Sequence, residues 1–212
     1  MQYWYDSFPD LYPQEARVAV PDVRFEWLCA HYKPQSEIPA YLTVIDIAGL
    51  VKGASSGEGL GNEFLANIKA VDGLFHVVRA FEDDMIAHVE GSVNPIRDMV
   101  RSLAEIIHTE LRLKDEEALV RTVADLTKQT DRMPKTSSVR EEKLNELKVA
   151  KKLLKRVGEE NKDVRTGDWT NDEIDFINTL RLLTAKPLIY LVNVSADDYV
   201  AGKNKWWDRL GQ

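Results

Sequence analysis

The stretch Tyr41-Leu42-Thr43-Val44-Ile45-Asp46-Ile47-Ala48-Gly49-Leu50-Val51-Lys52-Gly53 decides how the rest of the chain is read. Its first five residues are an unbroken run of apolar and β-branched side chains, which predicts a buried strand over 41–45. That strand delivers Asp46 to a sheet edge, with Gly49 three residues later. In nucleoside-triphosphatases such an Asp accepts from water or a hydroxyl in the magnesium shell, and such a Gly lets its N–H approach the γ-phosphate. A Cβ at that approach would push the phosphate away. The glycine-rich run Gly53-Ala54-Ser55-Ser56-Gly57-Glu58-Gly59-Leu60-Gly61 follows directly. It is not a dinucleotide fingerprint, because Asn62 stands where Gly-x-Gly-x-x-Gly needs its last glycine. On these residues alone two readings stand together: a phosphate-side loop, and an ordinary strand-to-loop turn with Asp46 capping the backbone.

Two further apolar runs, Leu74–Val78 and Leu188–Val192, resemble Tyr41–Ile45 and end at Arg79-Ala80 and Asn193. Continuous rather than alternating hydrophobicity predicts burial on both faces, so the three are expected as adjacent parallel strands of an α/β sheet. Arg17–Val20 is expected as an edge strand stopped by Pro21. Asp22 is placed to cap a helix over Val23–His31. Phe64, Leu65, Ile68 and Val71 recur at helical spacing.

From about Pro95 the pattern changes. Val100, Leu103, Ile106 or Ile107 and Leu111 form one apolar stripe, and Leu119, Val123 and Leu126 a second. Leu144, Leu147, Leu154 and Val157 form a coiled-coil-like face among Lys and Glu. Met133-Pro134 with Ser137-Ser138 predicts a turn between the two halves. Gly158 and Gly167-Asp168 are expected to break the second half, after which Thr170, with Glu173 in a capping box, starts a helix over Asn171–Leu183. The expected organisation is therefore a sheet domain over 1–98, an inserted antiparallel helical arm over 99–183, and a return to the sheet over 184–212.

Composition sets bounds. The 212 residues suffice for a substantial core, and 44% hydrophobic with 30% charged residues is ordinary for a globular protein. No apolar run has the length of a membrane span, and Met1–Ser7 shows neither a basic nor an apolar leader pattern. The single Cys29 excludes an internal disulfide and a cysteine-based metal site, and reads as a small buried hydrophobe beside Trp27 and Leu28. A cytoplasmic protein is expected. Residues 101–165 hold more Lys and Arg than Asp and Glu inside a chain of net charge −7. Such a stretch fits a solvated helical surface, and also an arm facing an acidic partner such as RNA. His88 with Glu82, Asp83 and Asp84 reads as a polar surface or capping cluster rather than a metal site.

Residues 46–54, Gly57-Glu58-Gly59-Leu60-Gly61-Asn62, Arg79-Ala80-Phe81-Glu82-Asp83-Asp84, His88-Val89-Glu90-Gly91-Ser92-Val93-Asn94-Pro95, Tyr190-Leu191-Val192-Asn193 and Lys203-Asn204-Lys205-Trp206 resemble the Obg-like ATPase family. This is the YchF subfamily of translation-factor-related P-loop NTPases. The similarity runs over nearly the whole chain, and the 79–95 string is its most specific part. The resemblance implies a P-loop NTPase, G-domain-like fold with an inserted helical arm. It implies binding and hydrolysis of ATP, or GTP, with Mg²⁺, linked to the ribosome or translation.

By the same resemblance Asp46 and Gly49 are nucleotide-binding, with Asp46 touching the metal through its water. Leu50, Gly53, Gly57, Gly59 and Gly61 belong to switch II. Asn193, Val194 and Ser195 lie where the base is read. Leu50 stands where related GTPases such as Ras place a water-orienting Gln, so the resemblance implies another group or a potassium-type cation, K⁺, at that step. Ala196 stands where the family's Asn-x-x-Glu has its acid, with Asp197 one residue later. Phe8–Pro13 lacks a switch I threonine, and a few extra residues stand around Met99–Ala104. No Gly-Lys-Ser/Thr phosphate loop occurs; the only Gly-Lys pair, Gly202-Lys203, runs on into Asn204. Against the family the chain is expected to be an interior piece without the phosphate loop or the C-terminal TGS domain, and catalytically incompetent as it stands. The alternative expectation is a non-enzymatic remnant of a G domain, binding a partner through its helical arm.

Overall fold

Four strands form in the computed structural model, which describes residues 14–47, 60–83, 85–86, 88, 91–100 and 103–210. They fall in two units, Met1–Val51 and Lys52–Gln212. In the first, β1 (Gln14–Ala19) pairs antiparallel with β2 (Tyr41–Asp46), in the register Gln14↔Asp46 to Ala19↔Tyr41. Arg17 lies over the Tyr41 ring at 4.8 Å, a cross-strand cation–π pair. Between them α1 (Val23–Tyr32) starts where its cap predicts, the Asp22 side chain accepting from the Arg24 N–H at 2.9 Å. Lys33 ends it in the left-handed region, its N–H closing on the Cys29 carbonyl at 2.9 Å. Cys29 is only half-buried, and Trp27 and Leu28 are exposed, so the expected buried packing of the three is corrected. Trp27 instead stacks flat on His31, its neighbour one helical turn on, with ring centroids 4.9 Å apart.

In the second unit, β3 (Leu74–Arg79) and β4 (Leu188–Asn193) form a parallel pair in the register Leu74↔Leu188 to Arg79↔Asn193. The expected parallel trio is therefore corrected. β2 takes β1 as its antiparallel partner, and each sheet has two strands among the described residues. An apolar run signals burial but carries no information on strand direction, which is why the spacing could not separate the cases. Burial on both faces is corrected too. Val78 is buried, while Phe75, Val77, Ile189 and Leu191, paired across the strands on the other face, stay exposed.

The helices follow their apolar spacing closely. α2 (Leu60–Ala70) buries Phe64 and Ile68. α3 (Pro95–Val100) packs against β3, and Asn94 accepts from the Arg97 N–H at its start at 3.1 Å. Apart from Val100, which ends α3, the two stripes of the middle region lie on one 30-residue helix, α4 (Leu103–Arg132), with Leu111, Leu119 and Leu126 buried. The turn at 133–137 leads into α5 (Ser138–Leu154). Leu126 packs with Leu147 and Ala150, whereas Leu119 packs with Leu153 and Val157. Rising numbers on one helix thus meet falling numbers on the other, so the pair is antiparallel.

The seam on α5 and the turn after it is Leu147, Ala150, Leu153 and Val157; the expected Leu147 and Val157 hold, while Leu144 and Leu154 are only partly buried and Leu153 takes the place of Leu154. Burying a leucine as fully as Leu119 or Leu153 contributes about 1.5–3 kcal/mol, so these contacts outweigh any surface ion pair along the helices. Gly158 does not break the helix. The chain runs through it as one wide turn, Lys155–Glu159, which keeps Val157 in the core. Gly167 is needed for another reason: a Cβ there would lie 2.7 Å from the Trp169 indole nitrogen, which donates to the Val164 carbonyl.

The Thr170–Glu173 capping box forms as expected at the start of α6 (Asn171–Leu180). The helix stops at Leu180, short of the expected Leu183, because the next residues bond elsewhere. Arg181 turns left-handed, and Leu182, Leu183 and Thr184 are buried. The Asp115 carboxylate, buried on α4, accepts from the Leu183 N–H at 2.8 Å, the Thr184 N–H at 2.7 Å and the Thr184 hydroxyl at 2.7 Å. Burial pushes Asp115 up; the donors on Thr184 and Leu183 and the charge of Arg165 act the other way. Nearby, Asp163 meets His108 Nδ1 at 2.9 Å and Arg165 at 3.2 Å, with Arg112 at 3.7 Å. Burial opposes its ionisation, but the His108 hydrogen bond and these charges outweigh that and hold it below the usual carboxylate range.

Two outcomes follow. Asp115→Ala strips a buried acceptor from two N–H groups and a hydroxyl, and lowers unfolding free energy by at least about 3 kcal/mol. A loss below about 1 kcal/mol in urea titrations would show that the clamp is dispensable. For Asp163, a depressed folded pKa contributes stability above the unfolded value and loses it as pH falls through the folded one. The stability gap between wild type and Asp163→Asn therefore shrinks between about pH 5 and about pH 3, and a constant gap contradicts the assignment.

Candidate functional site

The parallel pair carries Ala80 and Asn193 out at the same end. The Ala80 N–H donates to the Asn193 carbonyl at 2.7 Å, which extends the ladder one step past β3. Beyond it, Arg79 folds the following loop around its guanidinium. Nε donates to the Phe81 carbonyl at 2.9 Å, Nη1 to Ile86 at 3.0 Å and Nη2 to Asp83 at 3.1 Å, and the group lies over the Phe81 ring at 4.7 Å. A planar fork with fixed donors suits three carbonyls of one loop, a task that a lysine cannot perform.

On the β4 side, Ser195 caps α7 (Ala196–Ala201), its hydroxyl accepting from the Asp198 N–H at 3.1 Å. Val194 is partly buried, and the exposed Asn193 side chain has no bond among the described residues. Of the three residues expected on the base side, Ser195 is occupied as a helix cap, and the Asn193 side chain is exposed. Ala196 is the first residue of α7 and brings only a methyl group.

Asn204 ties the end of β3 to α7, the helix that follows β4. Its Nδ2 donates to the Ala80 carbonyl at 3.1 Å and to Asp198 Oδ2 at 2.7 Å, while its Oδ1 accepts from the Trp206 N–H at 2.9 Å. Beside it Lys205 pairs with Glu82, whose carboxyl is held below its usual range by that bond. Trp206 is buried, with Lys205 and Arg209 over its ring at 5.3 and 5.4 Å. Asp198, Gly202, Lys203, Asn204 and Trp207 line an open depression next to this edge. The aromatic pair at 206–207 is thus one anchor and one partly exposed ring.

The cluster around His88 disperses. Glu82 turns to Lys205, Asp83 Oδ1 accepts from the Met85 N–H at 2.9 Å, and His88 Nε2 lies 3.2 Å from Asp98. Asp84 lies outside the described residues.

Asp46 ends β2 in the first unit. Its carboxylate is exposed and has no hydrogen bond or ion pair among the described residues, so it is free to accept from the water of a magnesium ion. Gly61 sits in the first turn of α2. Gly49, Leu50, Gly53, Gly57 and Gly59 lie outside the described residues. Spacing missed Arg79, Asn204 and Asp115 as organising groups. For Asp115 a signal was present: an Asp midway between Leu111 and Leu119, four residues from each, must share their buried face.

Comparison with known proteins bears on the same residues. The sequence model of a family described as 50S ribosome-binding GTPase matches residues 24–120. Obg-like ATPase 1 of Oryza sativa subsp. indica is 49% identical over 210 residues, covering 97% of this chain and 50% of that protein. The Gallus gallus and Homo sapiens proteins of that name are 51% and 50% identical, each over 95% of this chain and 49% of their own length. A solved structure, the Schizosaccharomyces pombe YchF GTPase, superposes with a TM-score of 0.69 at 46% identity, over 99% of this chain and 53% of that one. The chain belongs to the Obg-like ATPase family. It spans about half the length of the curated relatives it matches. Its fold is that of a P-loop GTPase G domain, and a nucleotide site is the family's common property. No helix among the described residues is long and apolar enough to cross a membrane.

Asn204 links Ala80, α7 and Trp206 beside this edge. Asn204→Ala frees the Ala80 carbonyl and the Trp206 N–H, costing about 1–2 kcal/mol, and moves tryptophan fluorescence to longer wavelength as Trp206 meets water. Unchanged emission with unchanged stability would show that the edge holds without it.

Proposed function

We propose that this chain supplies the switch II side and the base side of a nucleotide site that binds ATP, or GTP, with Mg²⁺. With a phosphate cradle added, the site hydrolyses that nucleotide in work linked to the ribosome. The observation that carries the reading is the tied edge of Ala80, Asn193 and Asn204, which leaves the Asn193 side chain available at the C-terminal ends of two parallel strands. Ligands of open α/β sheets bind at such ends. The exposed Asp46 of the first unit suits the outer shell of Mg²⁺, an ion that would neutralise phosphate charge. The names of the relatives, Obg-like ATPase 1 and YchF GTPase, support the class of ligand.

This chain's residues would divide the work unevenly. Asn193 would orient the base from the end of β4. Gly49 would present its N–H to the γ-phosphate. Leu50 cannot polarise water, so hydrolysis would require another group or K⁺ near the phosphates. Ala196 offers no carboxylate to a guanine edge, so that position does not choose between ATP and GTP. Residues 99–183 would act as an inserted arm toward a ribosome or RNA partner.

The 212 residues contain no Gly-Lys-Ser/Thr stretch, and this favours a second reading for the chain by itself: an interaction module working through α4 and α5. Isothermal titration separates the two. The chain alone should bind Mg-ATP and Mg-GTP far more weakly than a full-length relative and hydrolyse neither, because lysine and amide cradling of the phosphates is lacking. A version carrying an N-terminal phosphate loop should regain ATP binding. Micromolar binding by the chain alone would reveal a substitute phosphate site, and no gain on adding the loop would leave the module reading.

A further inference from the structure

The side chain of Lys186 crosses from the segment before β4 to the end of α2. Its ammonium donates to the carbonyls of Ile68 and Lys69, each at 2.9 Å, and to that of Val71. All three donors of the ammonium are thereby used on groups that a helix end leaves without partners. A cation is also favoured there by the helix dipole.

The backbone of Lys186 is held just as firmly. Arg165 donates to its carbonyl at 2.8 Å. Two residues earlier, Thr184 is bound through its N–H and hydroxyl to Asp115 of α4, and its oxygen accepts from the Val164 N–H at 3.3 Å. One short segment thus touches α4, the 163–165 turn and α2. The first turn of α2, Leu60 and Gly61, continues the glycine-rich sequence that the nucleotide reading assigns to switch II.

We propose that Lys186 is a positioning residue that couples the helical region to α2, so that a displacement at α4 or at the 163–165 turn is transmitted to the helix that leads out of the glycine-rich sequence. A rigid helix moves as a unit, so fixing its last turn restrains its first. The coupling stands on the contacts above; its consequence for a switch rests on the nucleotide reading. An arm that engages a partner would then bias the switch through one ammonium group, without touching nucleotide.

Hydrogen exchange on the 212-residue chain, without nucleotide, tests this. Lys186→Met should speed amide exchange across residues 60–72 by about tenfold, with Lys186→Arg keeping it within about threefold of wild type. Thr184→Val, whose recorded bonds go to α4 and to Val164 rather than to α2, should speed the same amides by about two- to fivefold if the link transmits. In the double variant Thr184→Val should add nothing further, because the link is already cut. Additive effects, or no effect of Thr184→Val on 60–72, would reduce Lys186 to a local helix cap and overturn the proposal. Unchanged exchange in Lys186→Met would overturn it as well. If Lys186→Met does not fold, Lys186→Gln carries the same cycle. Failure of nucleotide titration would leave these outcomes untouched and count only against the nucleotide reading.

Discussion

The carboxylate of Asp115 is the constraint on which the second unit depends. A carboxyl buried on a helix is tolerated only when its oxygens find donors, and here the backbone of Leu183, the backbone of Thr184 and the Thr184 hydroxyl supply them. Those donors belong to the short turn between α6 and β4. The helix cannot continue through residues whose N–H groups are spent on α4, so α6 stops at Leu180. The turn's position in turn sets where β4 begins, and therefore which residue reaches the strand end beside Ala80.

From that anchor a chain of bonded groups leads to the candidate site. Thr184 is followed by Lys186, which closes α2, and by Pro187, whose carbonyl accepts from the Leu74 N–H at the start of β3. β3 and β4 then run in register to Arg79 and Asn193. At the far end Arg79 gathers the carbonyls of its loop, the Ala80 N–H joins the Asn193 carbonyl, and Asn204 ties Ala80 to α7. The site edge is thus built of backbone contacts held by a few polar side chains, rather than by a hydrophobic pocket. This suits a place where a ligand must enter and leave.

The strand ends at the candidate site were legible in the sequence for a simple reason. Asp46, Arg79 and Asn193 each close an apolar run, and a run that ends at a polar residue marks where a strand ends. The caps at Asp22 and Thr170 were equally clear, since a capping side chain bonds within its own turn and owes nothing to the rest of the fold. The stripes ending at Leu111 and starting at Leu119 continue one another through Asp115, the residue that fastens the helix to the turn before β4. The α5 seam shifted from Leu154 to Leu153 because adjacent leucines both satisfy a loose heptad, and only the facing Leu119 chooses between them.

By itself, the sequence determined what depends on near neighbours along the chain: the existence of four strands, the long helices with their turn at 133–137, the capping box, and the family to which the chain belongs. Tertiary structure alone decided what depends on partners far along the chain. Strand direction, the pairing of β2 with β1 rather than β3, the open face of Phe75, Val77, Ile189 and Leu191, and the end of α6 belong here. So do the roles of Asp115, Arg79, Lys186 and Asn204. A side-chain pattern records how strongly a residue prefers to be buried, but the acceptor a buried donor finds is fixed only when distant segments meet.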